Sequence, residues 1–351
     1  MTRDPIVEVS VAAKSDLGRA RDHNEDTFLV ADLTRATTEV RLNGQVPVGP
    51  RGILFLVADG MGGAAAGEIA SAMASEIIFR HVTDTWTLSD SESGDEFISR
   101  LKEAVEEANA KIHEYAIQHP DSRGMGTTAT VVGIFGSRLH IAQVGDSRAY
   151  LIRGGEAVQL TKDQSLMQRL IDAGELTEEQ AAQSERRNII LQALGPDARI
   201  RVDVTYQDVS HGDTLVLCSD GLSGQVKREE IGEVVAESTD VEVVCERLIA
   251  LANERGGPDN ITTVVVRFEG DGLAEGETSD DPGYHSYPLA DAEITGETAA
   301  TEEAPPPPAE IEPSPLPPAP ATIRTGSPVV IASIGIAVLL LLLALFFLFV
   351  R

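Results

Sequence analysis

Apolar runs along this chain stop repeatedly at an acid. Residues 53–58 read Ile-Leu-Phe-Leu-Val-Ala and end in Asp59-Gly60; residues 214–219 carry Leu215, Val216, Leu217 and Cys218 and end in Asp220-Gly221. Unbroken apolar runs of this length, bounded by turn signals, predict buried strands. Further strands are predicted over 6–13, 27–33, 129–135, 139–144, 149–153, 203–208 and 261–268, with hairpin signals at Gly136-Ser137 and Gly154-Gly155. Two helices follow the first Asp-Gly pair, over about 67–81 and 96–118. In the second, Ile98, Leu101, Val105, Ala108 and Ile112 recur at helical spacing. A second helical pair, about 228–237 and 241–254, precedes the last strand. Residues 34–52 and 84–95 lack periodicity and read as loops. Hairpin strands mixed with paired helices predict an α+β fold of layered antiparallel sheets covered by helices.

Composition divides the 351 residues into three parts. Residues 6–269 mix apolar runs and charges as a globular domain does. Residues 270–328 are acidic and proline-rich: from 271 to 328 there are twelve acids against the single base Arg324, and Pro305 to Pro308 are consecutive. Such a segment has too little apolar surface to offset its ordering entropy and is expected to be a disordered linker. Residues 329–350 hold no charge, and 22 residues at helical rise span about 33 Å, enough to cross a bilayer. No apolar stretch at the N-terminus resembles a signal peptide. The expectation is therefore a single-pass C-terminal anchor in the cell membrane with the globular domain in the cytoplasm.

The net charge of −28 argues against a nucleic-acid partner. Cys218 and Cys245 lie in apolar settings without metal-ligand spacing and fit reduced core thiols.

The acids at the ends of apolar runs carry the chemistry. Asn24-Glu25-Asp26, Asp59-Gly60, Asp220-Gly221 and Asp259-Asn260 form four clusters, and Asp146 follows the run at 139–144. A carboxylate delivered by a buried strand is costly without a partner, and several together repel. A shared hard divalent cation, which prefers oxygen ligands, relieves both costs. Metal sites of that kind suit phosphoester hydrolysis. Taken singly, each cluster reads first as a turn or a solvated charged loop. Arg21, just before Glu25 and Asp26, can grip phosphate through a two-pronged hydrogen bond or lie in such a loop.

Taken in order, these stretches resemble the protein phosphatase 2C family of metal-dependent protein Ser/Thr phosphatases. The matching segments are 21–26, 57–63, 126–128, 144–148, 161–194, 218–221 and 257–260. Leu166 to Gly174 with Arg187-Asn188-Ile189-Ile190 looks like the flap of bacterial members. The resemblance implies a four-layer αββα sandwich, with two central antiparallel sheets between helices. It implies two Mg²⁺ or Mn²⁺ ions and, in bacterial members, a weaker third. By motif match Asp59 bridges both core ions, the Gly60 carbonyl binds one, and Asp220 and Asp259 hold the other. Asp26, with Glu25, acts through coordinated water, Asp146 with Asp220 forms the third site, and Asn260 supports the ligands. Arg21 grips the substrate phosphate. A water bridging two cations is partly hydroxide at neutral pH and attacks phosphorus in line, so no nucleophilic Cys is needed. Phosphorylated proteins are the implied partners, with a membrane Ser/Thr kinase as the opposing enzyme and the bilayer engaged through 329–350.

The chain departs from relatives at three places. Met61 and Ala64 stand where histidines occur, and the flap begins Asp163-Gln164-Ser165 rather than Asp-His-Ser. That leaves the leaving-group acid to a metal-bound water, with His23 a weaker candidate. Two other readings follow from the same resemblance: a catalytically inactive, membrane-tethered phosphoprotein-binding module, and a phosphatase dedicated to an anti-anti-sigma-type regulator.

Overall fold

The computed structural model describes residues 6–38, 44–62, 66–274 and 281–289. Two antiparallel sheets form the centre. The first runs β3 (Gln45–Pro47), β1 (Glu8–Asp16), β12 (Ile261–Glu269), β11 (Thr214–Cys218), β8 (Arg148–Arg153), β9 (Glu156–Gln159). The second runs β13 (His285–Ser286), β10 (Asp203–Asp208), β7 (Arg138–Val144), β6 (Ala129–Phe135), β4 (Ile53–Met61), β2 (Asp26–Asp32), with β5 (Gly126–Thr127) on the end of β4. Helices α1 (Ala66–Val82) and α2 (Gly94–Gln118) cover the second sheet. Helices α6 (Arg228–Glu237) and α7 (Val241–Glu254) cover the first. Short helices α3 (Leu166–Asp172) and α4 (Glu178–Ala182) lie in the flap segment, and the single turn α5 (Asp220–Ser223) follows β11.

Both faces of the central strands are buried, which is why their sequences read as unbroken apolar runs. Along β4 the pleat sends Ile53, Phe55 and Val57 into the seam between the sheets, and Leu54, Leu56 and Ala58 onto α1 and α2. Along β12, Val264, Val266 and Phe268 enter the same seam while Ile261 and Val265 meet α7. Each fully buried side chain of this kind contributes about 1.5–3 kcal/mol by leaving water.

The predicted strands and helices are all found, with ends shifted by a few residues. The loop expected over 34–52 contains the edge strand β3, whose three residues are too few for periodicity to register. Both cysteines are buried and unbridged. The disorder expected from residue 270 onward does not hold at once. Ile6 N–H donates to Asp271 at 2.8 Å, Leu273 is buried, and residues 285–286 add a strand to the β10 edge. The acids and prolines around it mask the local aromatic content of Tyr284 and Tyr287 in any window average. No helix among the described residues is long and apolar enough to cross a membrane, and the span expected at 329–350 lies outside the described residues.

Candidate metal centre and active site

The seam between the sheets changes character at one end. Alternation along β4 carries from Phe55 and Val57 to Asp59, and along β2 from Val30 and Phe28 back to Asp26. The β2–β4 register sets Asp26 opposite Asp59. From the other sheet, Leu217 is followed two residues on by Ser219, and Val264 is preceded by Thr262. An apolar seam therefore ends in a polar mouth, and the carboxylates gather there.

Hydrogen bonds hold this mouth. The Ser219 hydroxyl donates to Asp26 Oδ2 at 2.8 Å and accepts the Thr262 amide at 3.0 Å. The Asp59 amide donates to Thr128 Oγ1 at 2.9 Å, and the Asp59 carbonyl accepts from Thr127 Oγ1 and from the Thr128 amide, both at 2.9 Å. Thr128 Oγ1 lies 2.8 Å from Ser147 Oγ, which fixes the turn carrying Asp146. The Asn260 side chain accepts the Glu25 amide at 2.9 Å and donates to the Leu17 and His23 carbonyls, both at 3.0 Å. Gly60 and Gly221 are required by close approach. A Cβ on Gly60 would stand 2.3 Å from the Gly67 carbonyl oxygen, and one on Gly221 would stand 1.9 Å from that of Asn260.

Electrostatics reports the same convergence. The Asp59 carboxyl is pushed well above the usual range, first by burial and then by the charges of Asp26, Asp220, Asp146 and Asp259. Burial, with Asp220 and Asp259 adding to it, pushes Asp26 up to about 6 against the opposing hydrogen bonds of Thr262 and Ser219. Burial and the Asp220 charge push Asp146 up to about 7. Asp220 is raised by burial and by Asp259, while a hydrogen bond with Asp59 acts the other way. Glu25 is raised by burial, opposed by Arg21 and by the Gly67 amide at the start of α1.

The donor set fits a hard cation. Asp26 Oδ1, Asp146 Oδ1 and Asp220 Oδ1 are buried without a hydrogen-bond partner, and every side chain in the cluster offers oxygen. Among the described residues no three His, Cys, Asp or Glu side chains already form a closed ligand set. The Arg21 guanidinium donates to Asp259 Oδ2 at 2.7 Å, and Asp259 Oδ1 accepts the Asn260 amide at 2.9 Å.

All the expected residues thus come to one mouth: Asp26, Asp59, Gly60, Asp146, Asp220, Asp259, Glu25, Asn260 and, at its rim, the exposed Arg21. His23 is exposed; its carbonyl accepts from the Asn260 side chain, and its charge acts on Glu25. Ala64 lies outside the described residues. Ser219 and Thr128 fall within the matched segments 218–221 and 126–128, but reading the sequence gave neither a role, because a hydroxyl carries no signal until its partner strand is known. It also missed the part played by Gln164. The Gln164 side chain accepts the Gly145 amide at 3.0 Å and donates to Asp203 Oδ2 at 3.2 Å, joining the start of the flap to the Asp146 turn.

Comparison with known proteins gives one answer. The sequence profile of protein phosphatase 2C matches residues 45–262. Serine/threonine protein phosphatase PstP of Mycobacterium tuberculosis is 38% identical over 255 residues, covering 73% of this chain and 44% of that protein. The chain thus spans less than half the length of that relative. Serine/threonine phosphatase stp of Listeria monocytogenes is 36% identical over 253 residues, covering 72% of this chain and 93% of that protein. The solved structure of the catalytic domain of serine threonine protein phosphatase PstP in complex with two manganese ions superposes with a TM-score of 0.61. It is 36% identical and covers 75% of this chain and 99% of that one.

Proposed function

Because the chain belongs to the protein phosphatase 2C family, we propose that it hydrolyses phosphoserine and phosphothreonine in proteins with divalent cations held at the polar mouth of the seam. One observation carries the reading: five aspartates from both sheets converge there, and three of them present buried oxygens without a partner. Asp59 and the Gly60 carbonyl would hold one Mg²⁺ or Mn²⁺, and Asp59, Asp220 and Asp259 a second. Asp146 with Asp220 would hold a weaker third, and Asp26, with Glu25, would order coordinated water. The bound cations supply Lewis-acid charge to the phosphoryl oxygens and lower the pKa of water to the neutral range.

The chain's own groups do the rest. Asp26 and Asp59 face each other across one strand pair and cannot spread apart, so they keep the repulsion that a cation relieves. Ser219 orients Asp26, and Thr128 and Thr127 orient the backbone of Asp59. Arg21 is the guanidinium at the rim. It binds the substrate phosphate while balancing the negative field that would otherwise repel a dianion. Neither cysteine takes part: burial pushes the Cys218 thiol up to about 12, which keeps it protonated and inert.

The uncharged stretch at 329–350 supports a membrane tether, which would concentrate the enzyme near membrane-bound phosphoproteins and a Ser/Thr kinase opposing it. Release of phosphate from p-nitrophenyl phosphate and from phosphothreonine peptides, with Mn²⁺ and with chelator, tests the catalytic reading. Turnover that persists in chelator, or none at saturating Mn²⁺, overturns it.

A further inference from the structure

Residues 281–289, Asp-Pro-Gly-Tyr-His-Ser-Tyr-Pro-Leu, lie against the edge of the second sheet. Ser286 and His285 pair with Thr205 and Tyr206, and the Tyr287 amide donates to the Val204 carbonyl at 2.9 Å. Side chains make the seat selective. The Gly283 amide donates at 3.1 Å to Oε1 of Gln207, a fully buried side chain of β10. The Tyr287 hydroxyl donates to Asp95 in the first turn of α2, and its ring meets Tyr206 edge-on at 5.6 Å. The same ring lies 5.9 Å from that of His140, a buried residue whose two ring nitrogens have no partner. A cleft of about 350 Å³ remains beside Tyr287, lined by Ser93, Asp95, Phe135, Arg138 and His140.

The attachment is narrow for what it orders. Two ladder pairs, the Tyr287 amide bond to Val204, the side-chain bonds at Gln207 and Asp95 and the packing of Tyr287 and Leu289 hold nine residues, and Pro282 and Pro288 keep the ladder from extending. An unpaired strand edge is itself a template for any extended peptide. The seat is separate from the carboxylate mouth. His140 pairs with Gly133 and Gly133 with Leu54, so it lies five strand residues, roughly 17 Å, along β4 from Asp59.

We propose that the β10 edge, together with the cleft beside the start of α2, is a strand-docking site whose occupant is the chain's own 281–289 segment, docked reversibly. The segment lies between the catalytic fold and residues 290–351. A partner that captures those residues therefore acts first on this seat, and release bares both the β10 edge and the His140 cleft.

Hydrogen exchange on the full chain tests this, with a labelled peptide of residues 281–289 added in trans. In the wild type the Tyr287 amide is protected. In Tyr287→Ala it exchanges about tenfold faster or more, as loss of a hydrogen bond to a charged group implies, while α2 and β7 keep their protection and p-nitrophenyl phosphate hydrolysis is unchanged. The labelled peptide binds Tyr287→Ala at least about tenfold more tightly than it binds the wild type, whose seat is filled. If Tyr287→Ala loses protection throughout, Tyr287→Phe decides: it keeps the ring, loses only the bond to Asp95, and should show the same local effect in milder form. Equal exchange at Tyr287 in wild type and variants overturns the proposal, as does equal peptide affinity. A wild type that is dimeric by light scattering and becomes monomeric in Tyr287→Ala would assign the seat to a second copy and overturn docking in cis.

Discussion

Asn260 Oδ1 accepts the Glu25 amide at 2.9 Å, across 235 residues of chain. The same side chain donates to the Leu17 and His23 carbonyls, so one amide group joins the end of β1, the loop into β2 and the start of β12. The segments bearing Asp26 and Asp259 are thereby held in one place. Asn260→Ala leaves one donor and two acceptors without partners in a buried position. We expect a loss of about 1–3 kcal/mol in denaturant unfolding, with Mn²⁺ affinity by calorimetry falling about ten- to a hundredfold.

Asp59→Asn should separate stability from activity. It removes the charge that four other carboxylates repel. Without added metal the variant is expected to melt at a higher temperature than the wild type. Its kcat/KM on p-nitrophenyl phosphate should fall by about 10²–10³-fold or more. A variant that melts lower without metal would contradict the picture of Asp59 as the centre of repulsion.

Metal and pH should act against each other. The folded-state values of Asp26, about 6, and Asp146, about 7, lie above the ordinary carboxylate value of 3.8. In chelator the folded protein therefore binds more protons than the unfolded chain between pH 4 and 7. Its stability is greatest below pH 4 on this account and declines as pH rises through 6 and 7. Mn²⁺ competes with those protons, so its stabilisation grows over the same interval and reaches about 2.7 kcal/mol at a hundred times its dissociation constant. Thermal melts at pH 5 and pH 8, with Mn²⁺ and with chelator, should show opposite trends.

Gly221→Ala should fail for steric reasons alone. Its Cβ would stand 1.9 Å from the Asn260 carbonyl oxygen, a backbone atom that cannot swing aside. The expected loss is about 3 kcal/mol or more, read as a drop in the urea midpoint, with the metal mouth distorted in the surviving fold.

The proposed tether predicts that deleting residues 324–351 moves the protein from the membrane fraction to the soluble one and leaves p-nitrophenyl phosphate hydrolysis unchanged. Fractionation followed by assay measures both.

The strands and helices were legible because each central strand is buried on both faces. Ile53 to Ala58 cannot be other than apolar when Phe55 faces a second sheet and Leu56 faces a helix. The acids at strand ends were legible for the complementary reason: a charge that stops a buried run stands at the boundary of the core. The sequence alone thus determined where chemistry could sit, and in order the motifs named the family. The polar supports were not legible. Ser219 reads as an ordinary hydroxyl until β2 is known to bring Asp26 within 2.8 Å of it. The same holds for Tyr287, which sits among acids and prolines and gains meaning only from Asp95, 192 residues earlier. Tertiary structure alone decided which strand ends share the mouth, because register across a ladder depends on partners that local sequence does not contain. It set Asp26 opposite Asp59, turned Arg21 onto Asp259, and drew part of an acidic segment back onto the sheet.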